Sequence, residues 1–396
     1  MKRITAIILA AIILLLSVVV HAELLEESAL YPTGEEMIEW VLPTSATALD
    51  TTAEGSILIE AETGSVLYEK NPDKALPIAS VTKVMTLLLV MEALDDGVIK
   101  LEDSVTVSDA AASMGGSQAW MEPGEVLSVH EMLKAVVVSS CNDGAVALAE
   151  HLAGSEEEFV RKMNVRASEL GMTSTSFVNC TGLDDNAMHK STARDVAIMS
   201  RALISHKRIF EYTTIWTDTI RNGEFGLANT NKLIRFYNGA NGLKTGSTSK
   251  AKFCLSATAE RDGMQLIAVV LGAPSSAERF SDAKRLLDYG FANHAIYRPK
   301  PLEITEVSVC GGKNESVPIR CDMTPLLVKK GMEGKIEREI NLAEKLTAPV
   351  EKGQTVGEIV YKCNGEELAR VKAYASEEVK KAEFFDIFLS LVKSLF

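Results

Sequence analysis

The sequence contains no Cys-x-x-Cys and no His-Glu-x-x-His, and its six cysteines, at 141, 180, 254, 310, 321 and 363, show no zinc-ligand spacing. A metal centre, a cofactor and zinc-peptidase chemistry are therefore not expected. Positive charge is scarce as well: 41 Lys and Arg face 54 Asp and Glu, a formal charge of −13. Taking Lys2 and Arg3 away with the leader described below leaves 39 basic residues and a charge of −15, which argues against nucleic acid as a partner. Cys141 has no histidine paired with it in the pattern and reads as a small packed residue. Cys310 and Cys321 are close enough to bridge a hairpin in an exported chain, and two separate buried thiols fit at least as well.

What is present starts with a leader. Residues 1–22 carry Lys2 and Arg3, an apolar run from Ile4 to Val20 and a small residue, Ala22, at the cut, the pattern of a secretory signal peptide. The run also leaves an uncleaved anchor open. Either way the body is expected to work outside the cytoplasm, at the extracytoplasmic face of the cell membrane. The remaining 374 of 396 residues suffice for two domains. The expected division is an acidic lead over 23–52, ordered poorly or draped on the surface, a catalytic domain over 53–298, an all-β domain over 299–375 and an amphipathic helix over 376–396.

Three short motifs carry the chemistry. Ser80-Val81-Thr82-Lys83 opens an apolar helical run, placing a hydroxyl in the first turn and an amine on the same face. Serine is a weak nucleophile that needs a neighbouring base. Burying Lys83 near a second cation would lower its proton affinity, and the helix N-terminus would offer N–H groups to an oxyanion. Ser140-Cys141-Asn142 follows a buried run that begins with a capping box, Ser128 to Glu131, and falls on a tight loop between helices. Lys244-Thr245-Gly246 lies on a strand of an antiparallel sheet with Lys252–Thr258 and Met264–Leu271, where the glycine lets another backbone come close. Ser56–Glu60 and Ser65–Glu69 read as a hairpin before the first motif. His189, alone in a loop, reads as structural. Arg279–Phe291 reads as the last helix of the domain, with Pro299 and Pro301 marking a linker.

Ser-x-x-Lys, Ser-x-Asn and Lys-Thr-Gly in this order are the element set of penicillin-binding proteins and serine β-lactamases. With Leu76-Pro77-Ile78-Ala79-Ser80, Gly116-Ser117, Asn142-Asp143, Leu170-Gly171-Met172, Ser191-Thr192-Ala193 and the trailing β-rich segment, the chain resembles the low-molecular-mass penicillin-binding proteins that act as D-alanyl-D-alanine carboxypeptidases. The resemblance implies an α+β fold: a β-lactamase/DD-peptidase-like catalytic domain, an antiparallel sheet flanked by helices, followed by a small all-β domain. It implies that Ser80 is acylated, that Lys83 is its base and that Ser140 relays a proton to the leaving amine. Asn142 would hold the peptide, Lys244 and Thr245 would meet its terminal carboxylate, and Arg279 would share that carboxylate. The N–H groups of Ser80 and Ser247, beside Gly246, would form the oxyanion hole. Peptidoglycan stem peptides and β-lactams are the implied partners. Two positions depart from the family pattern: Asn241, where many relatives carry aspartate, and Cys180, where a proline is usual.

A β-lactamase would also need a carboxylate for its deacylating water, commonly in a Glu-x-x-x-Asn loop. Residues 143–243 hold none. A non-catalytic wall-binding protein would not need the intact Ser80, Lys83, Ser140, Asn142 and Lys244. In the tail, Val379, Phe384, Phe385, Phe388, Leu391, Val392 and Leu395 recur at helical spacing beside Lys380, Lys381 and Lys393, which suggests contact with a membrane surface, packing on the β domain being the alternative.

Overall fold

The computed structural model describes residues 49–183, 187–303, 305–384 and 386. Its centre is a five-stranded antiparallel sheet of β1 (Gly55–Glu60), β2 (Val66–Lys70), β3 (Ala240–Thr248), β4 (Lys252–Arg261) and β5 (Met264–Ala273), in the order β2-β1-β5-β4-β3. Alternation decides which face each residue serves. Ile57, Ile59, Ile267, Val269 and Leu271 enter one core, whereas Leu58, Leu266, Ala268 and Val270 enter the other. Both faces are covered, which is why Leu266–Leu271 reads as an unbroken apolar run with no exposure.

The larger core is built by α1 (Lys83–Asp95), α2 (Val129–Val138), α3 (Asn142–Ala153), α4 (Glu156–Glu169) and α5 (Ala193–Ser205). Helix α1 is buried on nearly every side, as an all-round apolar sequence requires. Its first residue is Lys83, and Ala79–Thr82 precedes it as a 3₁₀ turn. Ser80 therefore lies in that turn rather than in the first turn of the α-helix. The capping box is present at α2, with Ser128 and Glu131 bonding each other's backbone N–H. Helix α6 (Ser276–Asn293) covers the second face through Phe280, Ala283, Leu286, Leu287 and Phe291.

The last residues of the expected lead are packed on the domain. Residues 1–48, including the leader, lie outside the described residues, but Thr51 is buried, and the backbone N–H groups of Thr52 and Ala53 both donate to Asp282 Oδ2 at 2.9 and 3.1 Å. His294–Tyr297, just ahead of the expected linker at Pro299 and Pro301, is a strand paired antiparallel with Leu326–Lys329.

Beyond it, six strands form the all-β domain around Val307, Val309, Val317, Ile359, Tyr361 and Ala373. Two of these strands were not legible in the sequence. Pro318 interrupts Ser316–Cys321, a residue that cannot donate to a ladder, and Lys345–Thr347 is only three residues long. All six cysteines are free, so Cys310 and Cys321 are separate, half-buried thiols.

The tail needs a correction at its start. Ser376–Ala382 is extended, not helical: Ser376 N–H donates to Pro318 O, Val379 N–H to Val350 O and Ala382 N–H to Gly311 O, each at 2.8 Å. Val379 sits in the β core at 2% exposure. Of the apolar tail residues, Phe384 is 76% exposed, whereas Phe385, Phe388, Leu391, Val392 and Leu395 fall outside the described residues. Among the described residues no helix is long and apolar enough to cross a membrane.

Candidate active site

In a 3₁₀ turn the residues i and i+3 eclipse each other, so Ser80 and Lys83 stack. Lys83 Nζ lies 3.2 Å from Ser80 Oγ. The same nitrogen donates to Asn142 Oδ1 at 2.5 Å and to Thr181 O at 2.8 Å. The Asn142 amide has its orientation fixed, because Nδ2 donates to Gly115 O at 2.7 Å and leaves Oδ1 for the lysine. A neutral amine has two N–H groups and one lone pair. The ammonium donates to all three oxygens; once it loses a proton, Asn142 Oδ1 and Thr181 O can keep the two that remain, which leaves the lone pair for the Ser80 hydroxyl. Lys83 is fully buried, and desolvation brings it from 10.5 down to about 8.

The second motif is delivered by the junction of α2 and α3. Ser140 has φ +62°, a left-handed conformation that a non-glycine residue adopts at a cost of about 1–3 kcal/mol, and such strain gathers at functional sites. Its Oγ accepts from Lys244 Nζ at 2.7 Å, so the second and third motifs meet directly. Asp143, buried beside Asn142, accepts from Ala119 N–H at 2.9 Å and Met121 N–H at 3.2 Å, tying a loop to the start of α3. Cys141 is packed, as its composition suggested, and burial pushes its thiol up to about 12.

The third motif comes from β3. Lys244 Nζ also donates to Thr245 O at 3.0 Å, and burial, then the neighbouring Lys83 and Arg279, push it well below its usual value. Thr245 Oγ1 donates to Thr230 Oγ1 at 2.7 Å. At Gly246 the sheet comes close to the serine turn: a Cβ there would lie 2.8 Å from Ile78 O and 2.9 Å from both Ser80 N and Val81 N. Ser247, next along β3, is exposed.

Arg279 on α6 is only 6% exposed. Its Nη1 donates to Gly246 O at 3.2 Å and Cys254 O at 3.3 Å, its Nη2 to Ser276 Oγ at 3.2 Å, and its guanidinium lies over the Phe280 ring. Desolvation lowers it to about 10. Its Nη1 thus holds the backbone of the Lys-Thr-Gly strand and of the neighbouring strand.

Thr181, Thr230, Asp143 and His189 were not singled out for the site. Thr181 acts through a backbone carbonyl, which no side-chain pattern reveals. Thr230 sits in Asn229-Thr230-Asn231, a stretch to which no motif assigns a role.

The comparisons agree with this geometry. Residues 42–275 match the family model described as D-alanyl-D-alanine carboxypeptidase, and residues 298–381 match penicillin-binding protein 5, C-terminal domain. The chain is 44% identical over 340 residues to D-alanyl-D-alanine carboxypeptidase DacF of Bacillus subtilis, covering 84% of this chain and 87% of that one. Penicillin-binding protein 5 from Haemophilus influenzae superposes with a TM-score of 0.76 at 31% identity, over 85% of this chain and all of that one. The ampicillin-bound form of penicillin-binding protein D2 from Listeria monocytogenes gives 0.54 at 36% identity, over 61% of this chain and 99% of that one. The chain belongs to the D-alanyl-D-alanine carboxypeptidase family, serine hydrolases with an α+β catalytic domain followed here by an all-β domain.

Proposed function

We propose that Ser80 removes the terminal D-alanine from peptidoglycan stem peptides through an acyl-enzyme, and that β-lactams acylate the same oxygen. The observation that carries this is the buried Lys83 Nζ 3.2 Å from Ser80 Oγ, with Asn142 Oδ1 and Thr181 O beside it as acceptors for two N–H groups, so that on deprotonation the lone pair is left for the Ser80 hydroxyl. Lys83 takes the hydroxyl proton as Oγ bonds to the carbonyl carbon of the penultimate residue. The N–H groups of Ser80 and Ser247 receive the oxyanion; Gly246 permits that approach. The C–N bond then breaks, and Ser140 passes a proton to the departing amine, itself resupplied through Lys244. Water hydrolyses the ester. Asn142 positions the peptide, while Lys244 and Thr245 receive the terminal carboxylate, with Arg279 adding positive charge through the strand carbonyl it holds.

Support for the β-lactam half comes from the likeness to a penicillin-binding protein seen with ampicillin. Equal cleavage of a peptide acid and its amide by the unmutated enzyme would contradict the carboxylate clamp; a strong preference for the acid is expected. We assign the catalytic domain to 53–298, the all-β domain to 299–375 and membrane contact to the apolar tail, at the extracytoplasmic face. Intact-mass measurement with benzylpenicillin tests the central reading, since acyl-enzyme, hydrolysed drug and no reaction separate a carboxypeptidase from a β-lactamase and a non-catalytic binder.

A further inference from the structure

His189 was expected to be structural only, and it touches none of the reacting atoms, yet it is joined to both halves of the reaction centre. It is buried at 3% exposure, and its ring packs edge-on against Phe177 at 5.9 Å. Its Nδ1 accepts from the Val178 N–H at 3.2 Å, and its Nε2 lies 2.7 Å from Thr82 Oγ1. A backbone N–H can only donate, so Nδ1 carries the lone pair, and in the neutral ring the proton is on Nε2. That proton goes to Thr82 Oγ1. The Thr82 hydroxyl is then directed onward to Ala79 O, at 2.8 Å. One directional chain runs from Val178 through the imidazole and Thr82 to the residue before Ser80.

Both ends of this chain matter. Ala79 has φ +47°, left-handed for a residue with a side chain, so the turn presenting Ser80 is held against its preference. The loop at the other end holds Thr181, whose carbonyl takes a Lys83 proton. The two are pressed together at Gly182, where a Cβ would fall 1.9 Å from Ala79 O and 2.7 Å from Thr82 Oγ1. We infer that His189 is a positioning residue for the reaction: through Thr82 it fixes the serine turn relative to the loop that holds the catalytic amine. The inference rests on the reading of Ser80 and Lys83 above.

The test times benzylpenicillin acylation of the full chain by intact mass for the unmutated protein and for H189L, T82V, the double variant and H189Q, with KM for a small D-Ala-D-Ala peptide measured in parallel. Misplacement of about an ångström costs about 100-fold, so H189L and T82V should each acylate about 10- to 100-fold more slowly while KM moves less than about threefold. The double variant should be no slower than the worse single, because both break one chain. H189Q, which offers an N–H toward Thr82, should recover much of the rate. Acylation at the unmutated rate in folded H189L and T82V, or multiplying defects in the double variant, would overturn the inference. Should H189L not fold, T82V, which keeps the side-chain volume, decides alone. S80A is run alongside: labelling of S80A sinks the nucleophile assignment, whereas an unlabelled S80A with a fast T82V sinks only the positioning role.

Discussion

Lys83 meets two acceptors that are fixed in place, the Thr181 carbonyl and the oriented Asn142 amide, and this determines what the amine offers Ser80. Burial holds it near 8, so the free amine is the minor species at pH 7 and the dominant one above about 8. If Lys83 serves as the proposed base it does so unprotonated, so acylation should rise with pH, about tenfold per unit below about 8, and level off above it. A pH profile of benzylpenicillin acylation measures this, and a flat profile from pH 6 to 9 would contradict the assignment. Lys83→Ala should slow acylation about 100- to 10,000-fold, the span of a positioned general base. Ser80 and Lys83 were legible in the sequence because their relation is local, three residues on one turn. Thr181, Thr230 and His189 were not, because their partners lie 98, 15 and 107 residues away. The departure at Cys180 acquires a physical meaning only in three dimensions: its backbone N–H, which a proline lacks, donates to Glu156 Oε1 at 3.0 Å.

At the scale of elements, the site is a meeting of a 3₁₀ turn, a helix junction and a strand, and the strand's approach depends on Gly246. Gly246→Ala would press a methyl against Ile78 O and Ser80 N, backbone atoms that cannot swing aside. The expected result is a folded protein whose acylation is slowed by more than about 100-fold, as for loss of an oxyanion donor; normal labelling kinetics would show that the strand has room to retreat. The capping box at α2 supplies the control. Ser128→Ala removes a cap far from the reacting atoms and should cost about 1 kcal/mol of stability, read by denaturant unfolding, with D-alanine release per folded molecule unchanged. The hairpin, the sheet strands and α2 were readable because alternation, the Arg261-Asp262-Gly263 turn and the capping box are each written in a few adjacent residues. His294–Tyr297 was not, since its partner strand, Leu326–Lys329, is about 30 residues on, past the prolines that read as a linker.

For the whole molecule, the three motifs lie in the part of the chain that precedes the all-β domain, so membrane contact and catalysis should separate. The structure moves the cut that tests this. A chain ending near Tyr374 would strip Val379 from the β core, whereas one ending at Ala382 keeps the extended segment and removes only the apolar end. Phe384, Phe385, Phe388, Leu391, Val392 and Leu395 could each contribute about 1.5–3 kcal/mol on leaving water. The chain ending at Ala382 should stay behind in liposome flotation while the full mature chain floats, with equal cleavage of a D-Ala-D-Ala peptide by both. Equal flotation would return the tail residues to a packing role.

Covalent attachment of Ser80 to the substrate's acyl group can be read by intact-mass measurement after incubation with benzylpenicillin. A persistent adduct of one drug mass is expected, mapping to the peptide that contains Ser80 and absent from Ser80→Ala. Rapid turnover of the drug with no adduct, or an adduct that survives in Ser80→Ala, would contradict it.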